Sequence, residues 1–468
     1  MKTKTCLSRL TLAFAACSAI GCAAASKVAK PIVAHGSPNK VPAVRQVAAL
    51  EEDTAAEDVV LSFAEMPIVP DSLSDSLLEL EHQANQNPTL HRLWREYQAA
   101  RAKVRYIDEL PDPKIAANVF GHPIETASGS QRANLTLSQM LPWLPRLDAQ
   151  AQQACFEAAA IGQTYESHRL KIQSDIRAGW YRLYVLQKQI EINTANQELL
   201  ESLIAVANSR VATGKASQGD VLAGTLEYSK VEEQLVTLRQ QVASTKSQLN
   251  RLVGRDVETP ISEPRQLSVE LPDWDQPMLR SLAWSHQPDI EAARIRSQAS
   301  RWGVEVARLK RRPDFTVSAS WFAIDDNRPD SNVVTVGEDA WSLGAMMTIP
   351  VRREKYDAIE QEAMWKLAAT NSSIEEVRQQ YDAVLVDLWE QARVANETAL
   401  LYQDTIVPEA KRTLAADQEA YANGDVEFDR VVRDFRTLLT LELGYHRSRG
   451  QLATALARIQ QATGYDFE

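Results

Sequence analysis

The stretch Phe315-Thr316-Val317-Ser318-Ala319-Ser320-Trp321-Phe322-Ala323-Ile324 alternates apolar side chains with small hydroxyl-bearing ones. Phe315, Val317, Ala319 and Trp321 fall on one side of an extended chain and Thr316, Ser318 and Ser320 on the other, the period of two that a strand imposes. The run Trp341 to Ile349 does the same, setting Trp341, Leu343, Ala345, Met347 and Ile349 against Ser342, Gly344 and Thr348. A polar loop, Asp325 to Asp330, separates the two. A fainter pair lies upstream, Ile115 to Phe120 and Ala133 to Met140, joined through Gly121-His122-Pro123 and Ser128-Gly129. Strands of about ten residues, apolar on one face and small and polar on the other, fit a lipid-facing barrel with a wet interior. Trp321, Trp341 and Trp143 are candidates for its aromatic girdle. The competing reading is a soluble hairpin packed on a helix. Four strands cannot close a barrel, since small closed barrels need about eight, and lipid tolerates no open edge. If these strands enter a membrane, three copies must pool about twelve.

Outward from the strands, the landmarks recur. Asn87-Pro88 stands 200 residues before Gln287-Pro288, and Pro113 stands 200 before Pro313. Pro142 and Pro350 are 208 apart; Gly214 and Gly424, like Gly254 and Gly464, are 210 apart. A nearly constant offset is the mark of a duplicated unit. Each half reads as helix, strand pair, very long helix, turn, long helix. In the first half, Ile172, Ile176, Trp180, Leu183, Leu186, Ile190, Leu200, Leu203 and Ala207 recur at intervals of three and four, and Leu222, Leu226, Leu235, Leu238, Val242, Leu249 and Leu252 continue beyond Gly214. Ile374, Val377, Tyr381, Leu385, Leu388 and Tyr402, then Val431, Phe435, Leu438, Leu452, Leu456 and Ile459, repeat the pattern. This spacing is that of coiled coils. About 60 helical residues reach about 90 Å, a length suited to a duct.

The N-terminus reads as a targeting segment. Lys2, Lys4 and Arg9 precede an apolar stretch from Leu10 to Ile20, too short for a spanning helix. It ends in Ala19-Ile20-Gly21-Cys22, which is similar to a bacterial lipobox with Cys22 as the lipidated residue; cleavage after Ala24 or Ala25 by ordinary signal peptidase is the alternative. Cys6 and Cys17 would leave with the signal, so Cys155 alone remains, expected as a small buried hydrophobe on a helix face. No disulfide or cysteine metal cluster is expected. Residues 22–70 hold Pro31, Pro38, Pro42, Pro67 and Pro70 and an acidic patch, the composition of a linker. The net charge of −11 argues against a nucleic-acid partner, since phosphate binding needs a basic face. The seven histidines are scattered, and no His-Glu-x-x-His, Gly-x-Ser-x-Gly or Walker sequence occurs; neither catalysis nor a cofactor is expected.

At Arg210-Val211-Ala212-Thr213-Gly214-Lys215-Ala216-Ser217-Gln218-Gly219-Asp220-Val221-Leu222 the chain resembles the TolC-type outer-membrane efflux proteins, which carry such a stretch at the turn of each long helical hairpin. Tyr421-Ala422-Asn423-Gly424-Asp425-Val426-Glu427-Phe428-Asp429-Arg430-Val431-Val432 is the second copy. Ile406-Val407-Pro408-Glu409-Ala410, Asn87-Pro88, Pro111-Asp112-Pro113 and Leu137-Ser138-Gln139-Met140-Leu141-Pro142-Trp143 are similar to the family pattern as well, and the Ser-Gln-x-x-Pro-Trp run is most like the branch paired with heavy-metal and cation pumps. The resemblance spans residues from about 73 to 464. It implies a mainly helical fold with a small transmembrane β part: an α-barrel of long hairpins, four strands per protomer in a trimeric 12-stranded β-barrel, and an internal two-fold repeat. The organisation expected is a signal peptide 1–21, a lipidated linker 22–70, a first repeat 71–254 (strands about 114–141, tip about 210–222), an equatorial connector 255–276 and a second repeat 277–468 (strands about 314–349, tip about 421–433).

The function implied is a passive exit duct for small molecules or metal cations, lipid-anchored in the outer membrane and reaching into the periplasm. Its partners would be two further copies, a periplasmic adaptor and an inner-membrane pump. The alternatives are the duct of type I protein secretion, or a lipid-anchored coiled-coil structural or adaptor protein. Gly214, Ser217, Asp220, Gly424, Asp425, Asp429, Arg430 and Arg433 are the expected tip, gate and docking residues. Gly214 and Gly424 permit chain reversal, and Ser217 and Asp220 suit an N-cap and first-turn acid. Rings of Asp220, Asp425 and Asp429 would select cations. Arg430 and Arg433 depart from the acids the family often has there, which suggests a gate of mixed charge held by Asp–Arg bridges.

Overall fold

The computed structural model describes residues 77–326 and 336–465. The chain divides into two units, residues 1–71 and 72–468, and every described residue lies in the second. The signal peptide, Cys22, the linker and most of the loop between the second pair of strands lie outside the described residues.

The first half begins with α1 (Leu77–Gln83), a 3-10 turn and α2 (Pro88–Val104). Strands β1 (Lys114–Thr126) and β2 (Gly129–Leu141) follow, then α3 (Leu144–Ala212) and α4 (Gln218–Val253). The second half repeats that order: α5 (Gln276–His286), α6 (Pro288–Leu309), β3 (Phe315–Asp325), β4 (Ala340–Met347), α7 (Arg353–Leu401), a π turn (Tyr402–Ile406), α8 (Val407–Asn423) and α9 (Phe428–Thr463). α3 has 69 residues, a span of about 100 Å at 1.5 Å each. Its counterpart is α7 and α8 with the π turn between them. Pro408 explains the break: it offers no N–H, and its ring crowds the carbonyl four residues back, so the backbone widens for one turn.

The two halves close on themselves in the same way. Asn87 caps α2 by accepting from Thr89 N at 2.7 Å and donates Nδ2 to Leu252 O, also at 2.7 Å. Gln287, before α6, donates Nε2 to Gln461 O at 3.1 Å. Gly254 and Gly464 end α4 and α9 at φ 84° and 65°. A Cβ on Gly254 would stand 2.7 Å from Gln86 O, and one on Gly464 would stand 2.7 Å from His286 O. Equivalent positions, Gln86 and His286 at an offset of 200 and Gly254 and Gly464 at 210, thus make matching contacts in the two halves.

Three apolar clusters hold the helices. One joins Leu200, Leu203 and Ala207 of α3, Val231 and Leu235 of α4, Leu414 of α8 and Phe435 of α9. A second gathers Leu80, Leu90, Ile176, Leu183, Leu249 and Ile261, and a third Leu279, Leu385, Leu388, Leu452 and Ile459. Between α4 and α5 the chain is irregular; it places Ile261 in the second cluster and packs Val269, Leu271 and Trp274 on the third.

Two expectations differ from the structure. Leu222 and Leu226 belong to the leucine stripe but are 62% and 57% exposed. The face α4 buries runs instead through Val221, Gly224, Glu227 and Val231, about one residue round the helix. Cys155 is exposed rather than buried, because Ala154 and Ala158 of α3 occupy the inward positions beside it.

Candidate membrane sheet and helical tips

The four strands form one antiparallel meander in the order β1-β2-β3-β4. Register sets Ile115 opposite Leu137, Leu137 opposite Ala319 and Ala319 opposite Leu343; Leu135, Trp321 and Trp341 form the adjacent row. All these side chains share one face, and they are open: Ile115 is 72%, Trp341 73% and Leu343 75% exposed. The other face carries Asn118, Asn134, Thr136, Ser318, Ser320 and Ser342. There Asn118 Nδ2 donates to Asn134 Oδ1 at 2.9 Å, and the Thr136 and Ser320 hydroxyls meet at 2.9 Å. Among the described residues β1 and β4 each pair on one side only. An apolar face of this extent that no described residue covers marks an interaction surface. Among the described residues no helix is long and apolar enough to cross a membrane.

The first hairpin is longer than expected. β1 runs on through Gly121-His122-Pro123 to Thr126, with a register shift between Val119 and Ile124. Pro123 cannot donate to a ladder, and an edge strand with a bulge accommodates it. Trp143 lies outside the sheet at the start of α3; its backbone N–H donates to Asp314 Oδ1 at 3.1 Å, and Arg312 lies 5.8 Å from its ring.

At the far end of α3 the chain reverses through Gly214 at φ 71°. Gly214 N donates to Val211 O at 2.9 Å and Lys215 N to Arg210 O at 2.8 Å. Ser217 then caps α4. Its Oγ accepts from Asp220 N at 3.3 Å and donates to Asp220 Oδ1 at 2.7 Å, so Asp220 is both cap partner and first-turn acid. The second turn, at Gly424 with φ 93°, donates Gly424 N and Asp425 N to Ala420 O, each at 2.9 Å. Here Glu427 stands at the cap and makes no side-chain capping bond.

The two turns meet through Arg210. Its guanidinium lies 4.6 Å over the Tyr421 ring, its Nη2 donates to Lys215 O at 3.2 Å, and that same nitrogen would lie 3.3 Å from a Cβ on Gly424. Tyr421 is 2% exposed; burial and the Asp220 charge push its hydroxyl pKa up, with Arg210 opposing. Arg433 pairs with Asp429 at 2.7 Å, both well exposed, an arrangement worth at most about 1 kcal/mol. Arg430 reaches across to α8, where its Nε donates to Asp417 Oδ2 at 2.7 Å. Of the expected tip residues, Ser217 and Asp220 are thus joined in one turn and Asp429 and Arg433 in another.

Arg210 and Tyr421 open the two motif copies but carry no site role in the sequence reading, and Asp417, Glu227 and Arg436 do not figure in it. Glu227 carries a legible signal, a charge three residues from Gly224 and four from Val231 on a buried face. It is 5% exposed, and Arg436 of α9 holds it through both carboxylate oxygens, with Lys230 Nζ at 2.7 Å. The Arg436 hydrogen bond holds the Glu227 carboxyl below the usual range against the cost of burial. A depressed carboxyl pKa adds stability above the ordinary carboxylate value and loses it as pH falls through the folded value. Glu227→Gln is therefore expected to cost about 1–2 kcal/mol at neutral pH, discounted because Arg436 is half exposed. In thermal melts the gap to wild type should shrink as pH falls below the ordinary carboxylate range.

Among the described residues no group of His, Cys, Asp and Glu could hold a metal ion.

Comparison with known proteins agrees with this geometry. Residues 80–255 match the outer membrane efflux protein family. The chain is 24% identical over 301 residues to the pyoverdine export outer membrane protein OpmQ of Pseudomonas aeruginosa, a match over 63% of this chain and 60% of that relative's length. The outer membrane protein VceC of Vibrio cholerae superposes with a TM-score of 0.70 at 19% identity, over 84% of this chain and 97% of that one. CusC, described for its transmembrane channel formation, superposes with a TM-score of 0.68 at 16% identity, over 85% and 97%. The family model is thus matched over residues 80–255, and the fold shared with VceC and CusC extends across most of the described chain.

Proposed function

We propose that the protein is the outer-membrane channel of a tripartite efflux pump, a passive duct and not an enzyme. The observation that carries this reading is the four-stranded sheet, with an open apolar face, a hydroxyl- and amide-bearing opposite face and two unpaired edges. In lipid such edges must be closed. Three copies joined β4 to β1 would supply about twelve strands, enough for a barrel, with the Thr136–Ser320 face towards water and the Trp341–Leu343 face towards lipid. α3 and the α7–α8 rod, with their partners, would continue the wall into the periplasm. Gly214, Ser217, Asp220, Gly424, Asp425, Asp429, Arg430 and Arg433 would form its gate and the surface for a periplasmic adaptor, which couples the duct to an inner-membrane pump. Lipid on Cys22 would anchor the N-terminus to the outer membrane. The likeness to a pyoverdine export protein supports a small-molecule cargo over metal cations.

The test is conductance. Purified protein added to a planar bilayer should form steady channels. Leu343→Arg should abolish insertion, since a charge facing mid-bilayer lipid costs about 2–4 kcal/mol per copy. No conductance from wild-type protein, or full conductance from Leu343→Arg, contradicts the placement of the sheet.

A further inference from the structure

Near the second tip, two carboxyl groups meet across the α8–α9 hairpin with one guanidinium beside them. Asp417 lies on α8 and is 7% exposed; its Oδ2 accepts from Arg430 Nε at 2.7 Å. Asp434 lies on α9, one turn beyond Arg430. Its Oδ2 is shut off from water, and no donor among the described residues reaches it. The group it faces is the Asp417 carboxyl, within hydrogen-bonding contact. Two acceptors cannot bond without a proton between them, and two adjoining carboxylates do not both ionise readily.

We infer that Asp417, Asp434 and Arg430 form a proton-operated latch that fastens α8 to α9 beside the turn at Gly424. In the closed state one proton sits on Asp434. Its O–H donates to Asp417, whose single negative charge is matched by Arg430. When that proton passes to water, two anions face one cation, the O–H···O bond is gone, and the hairpin loosens.

The neighbouring charges leave this pair to itself. On its own helix Asp434 is faced by Arg430 and Arg433, and Arg433 is already paired with Asp429. From α8 the facing group is Asp417. On α3 and α4, which supply the rest of the same cluster, Arg210 lies on Tyr421 and Glu227 is taken up by Arg436 and Lys230; Asp220 bears on Tyr421. Burial foremost, and then Asp417, push the Asp434 carboxyl pKa up. The contact with Asp434 and the Arg430 bond hold that of Asp417 down. A raised folded value gives stability that is present at low pH and lost as pH rises through it; a lowered one gives stability lost as pH falls through it. The latch therefore holds in a window, opening on the alkaline side as Asp434 ionises and on the acid side as Asp417 takes up a proton.

In a duct, loosening this hairpin would widen the tip, a consequence that rests on the channel reading. The latch itself does not, so its test reads the hairpin directly. Amide hydrogen exchange is followed on the purified full-length protein in detergent at about pH 5 and about pH 8, with times scaled for intrinsic exchange. Peptides covering residues 410–440 should lose protection by about tenfold or more at the higher pH, while peptides covering 170–185 do not. Asp434→Asn, which donates through its amide without titrating, should keep the hairpin protected at both. Arg430→Gln, which removes a charge that lowers the Asp434 pKa, should move the loss of protection to higher pH. Equal wild-type protection at both pH values overturns the latch, as does an Asp434→Asn hairpin that loosens with pH as wild type does. A failure to conduct, with the exchange pattern as expected, would count against the channel and leave the latch standing.

Discussion

Phe435→Ala is expected to lower the stability of the helical tip by about 3–5 kcal/mol. The ring is 1% exposed and sits where four helices converge, among Leu200 and Leu203 of α3, Val231 and Leu235 of α4 and Leu414 of α8. No neighbouring side chain can fill the volume without moving a long helix, so the cavity would persist. The loss should be local. Around Arg177 the helices have separate fastenings, an ion pair to Glu81 at 2.6 Å and a bond to Gln460, far from the vacated space. Limited proteolysis should therefore cut residues 195–240 and 410–440 of the variant well before residues 150–180. Uniform cleavage would mean that the helices unfold as one unit.

The second large effect concerns the matched glycines. Gly254→Ala and Gly464→Ala should each cost about 2–4 kcal/mol, from a left-handed backbone that L residues resist and a Cβ forced against a carbonyl. Gly214 is the control. Its φ is also positive, but nothing lies within 4 Å of a Cβ placed there, so Gly214→Ala should cost only about 1 kcal/mol. Chemical denaturation of the three variants measures this. Similar losses at 254 and 464, with a smaller one at 214, would tie the sequence repeat to a repeated contact. A Gly464→Ala loss no larger than that at 214 would remove the energetic case for it.

Phe315 to Ile324 was legible because its alternation is strict, and β3 runs through the same residues. β1 was half hidden because Gly121 and Pro123 mimic a loop, whereas an edge strand absorbs them through a bulge. The break in the long helix of the second half is marked by Pro408, but the packing of the π turn, with the Tyr402 ring against Gly444 of α9, joins residues too far apart in sequence to be read there. Leu222 and Leu226 fit the leucine spacing yet stand outside, since spacing finds an apolar stripe and not which part of it one chain buries. The tip was legible in its turns, Gly214, Ser217, Asp220 and Gly424, where neighbours in sequence make the structure. It was illegible in Arg210–Tyr421 and Glu227–Arg436, whose members lie more than 200 residues apart and whose pairing exists only once the hairpins stand side by side.

The central claim is that this sheet is one third of a barrel. It is tested most directly by the native mass of the protein extracted from outer membranes in mild detergent, after growth with labelled palmitate. A labelled particle of three chains is the predicted result, with the label lost on Cys22→Ser while the particle persists. A particle of one chain, released from the membrane by removing the lipid alone, would contradict it, for then the strands never meet across copies and the exposed face of Ile115, Trp341 and Leu343 never enters lipid.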